Sequence, residues 1–264
     1  MFGTIELARR GVFSPLPDDV VADIPRAWRD NNNFWVGFAA RARVLAYDAA
    51  RFDADDVPQS WEELATRESL SDVAIANPQF GTTRGHIATL FAYWGPERAT
   101  AFLQKLRDDN ARITDGNSQA VMEVLAGGAA LGMTDTDDVW VNQGKSETLS
   151  LVYPTISDSV LLSRQRTHPT EPIRRVIWIP NTVARVAGGP NDKAGASLLA
   201  FLASAEIEKA LALSDSRNVP VRAELREELN IDTTTSGPPE PLQYEKIASG
   251  LEEAMKAARE ILLK

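Results

Sequence analysis

The sequence predicts an α/β fold built on a mainly parallel, doubly wound sheet. Short apolar segments with the composition of buried strands recur along the chain, at residues 73–76, 129–134 and 149–153. Segments with helical patterning lie between them, at residues 84–94, 96–107 and 119–126. Strands that alternate with helices are typical of units in which a helix joins two parallel strands and covers one face of their sheet.

The first part of the chain predicts a short helix and one long strand. Residues 5–11 predict a helix that ends at Gly11, because glycine is favoured just after a helix. Residues 37–47 alternate enough to predict a single long strand, and Arg41 and Arg43 lie on one face of it. These arginines could pair with an anion or with carboxylates. Ser60 stands before an amphipathic segment and predicts a capped helix.

The last third of the chain predicts one more strand and several helices. The strand covers residues 176–186 with an interruption at Pro180-Asn181, and the helices cover 192–202 and 206–213. Residues 232–241 are rich in Thr, Gly and Pro and predict a linker. The last predicted helix carries an apolar stripe that we expect to pack on the protein, formed by Tyr244, Ile247, Leu251, Met255, Ala258 and Leu262.

The composition is that of a globular protein that does not bind nucleic acid. Of the 264 residues, 44% are hydrophobic and 25% are charged, and the net charge is -9 at pH 7. The summed field therefore repels phosphate backbones. No segment approaches the roughly 20 apolar residues of a membrane span, and residues 1–6 lack the pattern of a signal peptide. The absence of cysteine excludes disulfides and thiolate ligands.

Two predicted helix starts carry the residues best suited to holding an anion. They are Gly81, Thr82 and Thr83 at one helix start, and Asn117 and Ser118 at the other. Backbone N–H groups at a helix N-terminus, together with hydroxyl and amide side chains, form a ready anion site. Simple N-capping explains each segment as well. Because both segments follow neighbouring predicted strands, they would point into one crevice at the carboxyl ends of a parallel sheet, which favours a binding site.

Three carboxylates follow the predicted strand at residues 129–134. Asp135, Asp137 and Asp138 could bind a hard cation through oxygen ligands, or an ammonium group. The alternative is a helix N-terminus in which Thr136 is the cap and the helix dipole favours the acids. The spacing differs from that of the EF-hand calcium loop, so it predicts no particular metal.

The sequence favours a binding protein over an enzyme. Its histidines are His86 and His168, and it contains no cysteine, P-loop, dinucleotide-binding glycine motif or Gly-x-Ser-x-Gly motif. A nucleophile and its base are therefore hard to assemble. An enzyme that uses His86 with Asp135 stays open as an alternative, because a fold does not fix its function. A regulatory ligand-binding module is a further alternative.

Five segments, in this order, resemble the extracellular solute-binding proteins of ABC importers, iron(III)-type family 1. They are GFAARARVLAY at residues 37–47, AIANPQFGTT at 74–83, GNSQAVMEVLAGG at 116–128, MTDTDD at 133–138 and IPNTV at 179–183. The resemblance implies a type II periplasmic-binding fold, in which two α/β lobes joined by crossing strands close on a ligand by hinge motion.

The same resemblance implies the boundaries of the lobes. Residues 1–46 and 177–264 are expected to form lobe one, and residues 47–176 lobe two. Members of the family usually have additional N-terminal residues, with an export signal and the first strands of lobe one. The first lobe is therefore expected to be incomplete at its N-terminus.

The resemblance also implies a function and a set of partners. The expected function is the substrate-binding component of an ABC importer, which captures a small anionic or zwitterionic ligand, or a metal–anion complex of the iron(III) type, in an interlobe cleft. The expected partners are that ligand and the permease of the transporter. The protein is expected to be a periplasmic or extracellular monomer that is not an enzyme.

The candidate ligand residues separate into two sets under this resemblance. Gly81-Thr82-Thr83 and Asn117-Ser118 match the positions at which relatives hold a synergistic anion or an anionic ligand. Asp135, Asp137 and Asp138 are assigned to a cation or metal, with iron(III) and a synergistic anion as the possible metal ligand. Iron-binding relatives place adjacent tyrosines here, whereas this chain has Thr136, Asp137 and Asp138, so the phenolate ligands of those relatives are not supplied.

Overall fold

Contacts between residues divide the chain into two units, each made of two separate stretches of chain. The computed structural model describes residues 1–158 and 173–264, so His168 lies outside the described residues. The first unit is Met1–Arg41 with Trp178–Ala248, and the second is Ala42–Ile177 with Ser249–Lys264. The lobe boundaries inferred from the sequence stay a prediction.

The elements alternate between strands and helices along most of the chain. The strands are β1 (Phe13–Ser14), β2 (Trp35–Asp48), β3 (Val73–Ala76), β4 (Arg112–Thr114), β5 (Leu131–Asp135), β6 (Leu149–Val152), β7 (Thr155–Asp158), β8 (Ile173–Val176) and β9 (Trp178–Val186). The described helices are α1 (Phe2–Arg9), α2 (Asp18–Val21), α3 (Trp61–Thr66), α4 (Gly81–Trp94), α5 (Pro96–Asp108), α6 (Asn117–Leu125), α7 (Thr136–Gln143), α8 (Asp192–Leu202), α9 (Ala205–Leu213), α10 (Ala223–Glu228), α11 (Tyr244–Ser249) and α12 (Leu251–Leu262).

The second unit contains the sheet that positions the candidate site. β3 lies between β4 and β5 and runs parallel to both, whereas β2 runs antiparallel to β5 and to β6. The sheet is therefore mixed, and the prediction of a mainly parallel sheet was wrong in this respect. Apolar patterning identifies a strand but does not encode its direction, so the antiparallel pairing of β2 with its neighbours could not be predicted.

In the first unit, β9 pairs with β1 and continues through Pro180, where an interruption was predicted. Gly37 makes room for the proline, because a Cβ at position 37 would lie 3.1 Å from the Pro180 side chain. Proline has no N–H to donate, but the neighbouring Asn181 amide donates to the carbonyl oxygen of Ala39 at 2.7 Å. The Asn181 carbonyl oxygen accepts from Arg41.

Most predicted elements are present, with changes at their ends. Ser60 caps α3 by accepting from the N–H of Glu63 at 3.1 Å, as predicted. The predicted last helix is two helices, α11 and α12, which meet at Gly250. Its apolar stripe packs as expected: Ile247 and Leu251 are buried, and α12 packs against α4 and α5. Among the described helices, none combines the length and apolar character that crossing a membrane requires.

Candidate functional site

Three helices of the second unit begin at one edge of its sheet. α4, α6 and α7 follow β3, β4 and β5, which are parallel neighbours, so their N-termini lie at the carboxyl ends of these strands. In the described part of the chain, none of the three N-cap residues, Phe80, Gly116 and Asp135, caps its helix with a side chain. Backbone N–H groups without intrahelical partners therefore gather at this edge.

The helix starts differ from the prediction in ways that exclude simple capping. Gly81, Thr82 and Thr83 form the first turn of α4, which begins three residues before the predicted start at 84. Gly81 has φ +57, a backbone conformation that favours glycine. Asn117 is likewise inside its helix, and the predicted cap Thr136 instead accepts a hydrogen bond from the N–H of Ala42 at 3.2 Å.

A buried ion pair lies at the centre of this edge. Arg43 on β2 and Asp135 on β5 are direct partners in the antiparallel register, so their side chains leave the sheet on the same face. The Arg43 Nη1 atom is 2.7 Å from Asp135 Oδ1, and the side chains are 0% and 2% exposed. The sequence allowed Arg43 to pair either with an anion or with a carboxylate of the protein, and in the structure its partner is a carboxylate.

One side chain from each predicted anion segment, Thr82 and Asn117, points into this pair. Thr82 donates its hydroxyl to Asp135 Oδ2, and Asn117 Nδ2 donates to the same oxygen at 2.8 Å. Asn117 Nδ2 also lies 2.9 Å from the Thr82 hydroxyl, and Thr83 donates to Asn117 Oδ1 at 3.2 Å. The structure therefore brings the two segments together, but through a carboxylate of the protein itself.

The remaining donors of Arg43 also meet protein acceptors. Its Nη2 donates to the carbonyl oxygen of Met133 at 3.1 Å, and its Nε lies 3.4 Å from His86 Nδ1. Its Nη1 is 3.2 Å from the side-chain oxygens of Thr82 and Asn117, in addition to Asp135. Each of the three guanidinium nitrogens therefore has at least one acceptor within the described part of the second unit.

His86 is a neutral, fully buried member of this cluster. Burial lowers the pKa of His86 well below its ordinary value of 6.5, and the positive charge of Arg43 lowers the pKa further. The ring packs edge-on against Trp61 at 4.1 Å between centroids. The enzyme alternative pairs His86 with Asp135, but in the described contacts each of them bonds to Arg43.

The other two predicted acids are more accessible than Asp135. Asp137 and Asp138 are half-buried residues in the first turn of α7. One carboxylate oxygen from each of Asp135, Asp137 and Asp138 lies within 4.8 Å of the others. Ser118 at the start of α6 donates to Asp138 Oδ1 at 2.5 Å. Asp135 is bound to Arg43, whereas Asp137 and Asp138 are the more accessible carboxylates of this cluster. Their assignment to a cation stays a prediction.

Comparison with known proteins identifies a family. The model of a family described as bacterial extracellular solute-binding protein matches residues 6–239. Iron uptake protein A1 of Synechocystis sp. is 27% identical over 134 residues, which are 48% of this chain and 37% of that protein. The Fe(3+)-binding periplasmic protein of Serratia marcescens is 28% identical over 116 residues, 44% of this chain and 34% of that protein. The matched part therefore spans about a third of each curated relative.

Solved structures share the fold over nearly the whole chain. The ferric binding protein from Campylobacter jejuni has a TM-score of 0.77 at 17% identity, over 99% of this chain and 81% of that chain. Iron-bound HitA from Pseudomonas aeruginosa has a TM-score of 0.72 at 21% identity, over 98% of this chain and 79% of that chain. These likenesses confirm the predicted fold class, the two-lobe α/β periplasmic-binding fold.

Proposed function

This chain belongs to the family of bacterial extracellular solute-binding proteins, and we propose that it is the substrate-binding component of an ABC importer. Its ligand would be small and would carry a positive centre, with a complex of iron(III) and an anion as the first to test. The names of the curated relatives, an iron uptake protein and a ferric-ion-binding periplasmic protein, support this ligand class. The permease of the importer would be its partner, and the periplasm or the cell exterior its location.

The observation that carries the proposal is the position of Asp137 and Asp138. Both acids lie in the first turn of α7, at the edge where α4 and α6 also begin, and Asp138 accepts a hydrogen bond from Ser118. Carboxylate oxygens are hard ligands that suit hard cations, and their charge attracts an ammonium group equally well. By the family resemblance, Asp137 and Asp138 stand where iron-binding relatives carry adjacent tyrosines. The aspartates would therefore offer carboxylate oxygens in place of phenolate oxygens.

The same edge offers donors for the negative part of a ligand. The first N–H groups of α4 and α6 carry the positive end of each helix dipole. An anion that accompanies the cation would therefore meet backbone N–H groups near Gly81 and Ser118. Donors and carboxylates at one edge suit a zwitterion or a metal–anion complex better than a ligand of single charge.

A binding role agrees with the state of the titratable groups. His86 is 0% exposed, and its pKa is lowered by burial and by Arg43. A histidine that stays neutral and inaccessible is a poor general acid or base. The residues at this edge can hold and orient a ligand.

Isothermal titration with ferric citrate tests the proposal. We expect Asp137→Asn and Asp138→Asn each to weaken binding at least tenfold, about 1.4 kcal/mol, because each removes a charged oxygen ligand. The matched control is Glu147→Gln, which removes an exposed acid elsewhere in the second unit and should leave the affinity unchanged. Unchanged affinity in both aspartate variants would remove these residues from the ligand site, and turnover of any ligand by the wild-type protein would favour the enzyme alternative.

A further inference from the structure

We infer that Asp135 is a built-in counter-anion: its carboxylate occupies an anion cradle formed by Arg43, Thr82 and Asn117, so that the receptor needs no separate anion there. The cradle consists of a guanidinium, a hydroxyl and a carboxamide, which are the donors that proteins use to bind carboxylate-like anions. The consequence for ligand binding, that no separate anion is needed, rests on the proposed function. The cradle itself is defined by contacts within the second unit.

Both oxygens of the Asp135 carboxylate are held by this cradle. Oδ1 accepts from Arg43 Nη1 at 2.7 Å, and Oδ2 accepts from Asn117 Nδ2 at 2.8 Å and from the hydroxyl of Thr82. The donors come from β2, α4 and α6, whereas the carboxylate comes from the end of β5. Three separate elements thus converge on one anion that a fourth element supplies.

The orientation of Asp135 shows that the cradle, and not the local helix, determines where the carboxylate lies. Asp135 is the N-cap residue of α7, a position at which an aspartate ordinarily accepts from the N–H groups of the first helical turn. Its side chain makes no such capping bond and instead turns toward Arg43. The carboxylate accepts hydrogen bonds from the cradle and not from the nearby N–H groups of α7.

The charge of Arg43 explains this preference. The guanidinium is 0% exposed, and a buried cation is destabilising unless an anion is paired with it. Because Arg43 and Asp135 are cross-strand neighbours, the protein supplies that anion from its own chain. Among the described residues, Asp135 is the acid that forms a salt bridge with Arg43.

The occupied cradle restricts what the receptor can bind. Thr82 and Asn117 are at positions where the resemblance implies a synergistic anion, but their donors are already directed at Asp135. A small planar anion cannot enter the same space without displacing the carboxylate. The positive part of the ligand would then bind at Asp137 and Asp138 with an affinity that does not depend on carbonate or formate in this cradle.

Removal of the carboxylate by Asp135→Ala tests this role directly. The variant leaves a void beside an unpaired Arg43, so formate or bicarbonate should bind in the void and restore stability. At a formate concentration about 100 times its dissociation constant, we expect the Tm to rise by about 5–10 °C, relative to chloride at the same ionic strength. Wild-type protein should show no such rise.

Two control variants separate this effect from general stabilisation by anions. Asp135→Asn removes the negative charge, but its side chain still fills the space, so formate should not raise the Tm of this variant. Asp72→Ala removes the partner of Arg67 from an ion pair that is 31% and 38% exposed, so solvent already screens the arginine and formate should have no effect. A response of either control as large as that of Asp135→Ala would overturn the cradle.

The remaining outcomes are also decisive. An Asp135→Ala protein that folds and ignores both anions overturns the assignment. If the variant folds only when refolded with formate, the assignment is supported. If Asp135→Ala folds in neither buffer, the wild-type protein is tested with formate instead. Saturable stabilisation of the wild-type protein by formate, abolished by Thr82→Val, would overturn the assignment. The absence of such stabilisation would support the assignment. Failure of wild-type protein to bind any metal or amine would refute the proposed function and would leave the anion rescue intact.

Discussion

Replacement of Arg43 by methionine should be among the most destabilising single changes in the second unit. The side chain is fully buried, and its guanidinium donates to Asp135, Met133 and His86. Methionine has a similar length but no donor and no charge. Arg43→Met therefore leaves the Asp135 carboxylate buried beside Thr82 and Asn117 without its positive partner.

The expected loss follows from the burial of the pair. Breaking a buried ion pair by removing one partner lowers the free energy of unfolding by about 3–5 kcal/mol, because an uncompensated charge remains. Arg67→Met breaks a pair whose side chains are 31% and 38% exposed, and it should lose less than about 1 kcal/mol. Combining Arg43→Met with Asp135→Leu removes both charges, so the double variant should lose much less than the sum of the single changes.

Equilibrium unfolding in urea, followed by tryptophan fluorescence and circular dichroism, measures these differences. A coupling energy of at least about 2 kcal/mol between positions 43 and 135 would agree with the structure. If Arg43→Met loses no more stability than Arg67→Met, or if the losses at positions 43 and 135 are additive, the central ion pair does not hold this edge together.

Two further predictions concern neighbouring positions. The pKa of His86 is lowered in the folded protein. As the pH falls below about 6.5, the unfolded chain therefore takes up a proton that the folded protein does not. The free energy of unfolding of the wild-type protein should then fall by up to about 1.4 kcal/mol per pH unit. His86→Gln should remove that part of the slope in urea unfolding between pH 7.5 and 5, and an unchanged slope would contradict a buried neutral histidine. Gly132→Ala should lose about 1–3 kcal/mol, because a Cβ there would lie 3.0 Å from the backbone oxygen of Ala120. Gly144→Ala, with nothing within 4 Å of the added Cβ, is its control, and equal losses in thermal unfolding would refute the close approach.

Local patterns predicted most elements because their signals lie within a few residues. Ser60 caps α3, the apolar run at β3 is a buried strand, and the stripe that includes Leu251 is buried. Each of these depends on side-chain chemistry repeated at a fixed spacing. The direction of β2 relative to its neighbours depends instead on which strands it pairs with. A local sequence pattern does not contain this information.

The interior of the candidate site could be predicted only in part, for the same reason. The sequence indicated Thr82, Asn117 and Asp135 as polar residues at helix starts, and Arg43 as a possible partner of a carboxylate. Their mutual contacts depend on the register that places Arg43 opposite Asp135, a separation of 92 residues in the chain. The helix starts were misplaced because threonine and asparagine are common caps, whereas here their side chains turn to a neighbouring element.

The most direct test of the receptor function is a thermal-unfolding panel on the wild-type protein. The ligands are ferric citrate, ferric iron with bicarbonate, phosphate, an aminophosphonate and a polyamine. We predict a selective, saturable stabilisation by one class that carries a positive centre, about 2.7 kcal/mol at 100 times the dissociation constant. Cooperative unfolding that none of these ligands shifts would contradict a receptor built around Asp137 and Asp138.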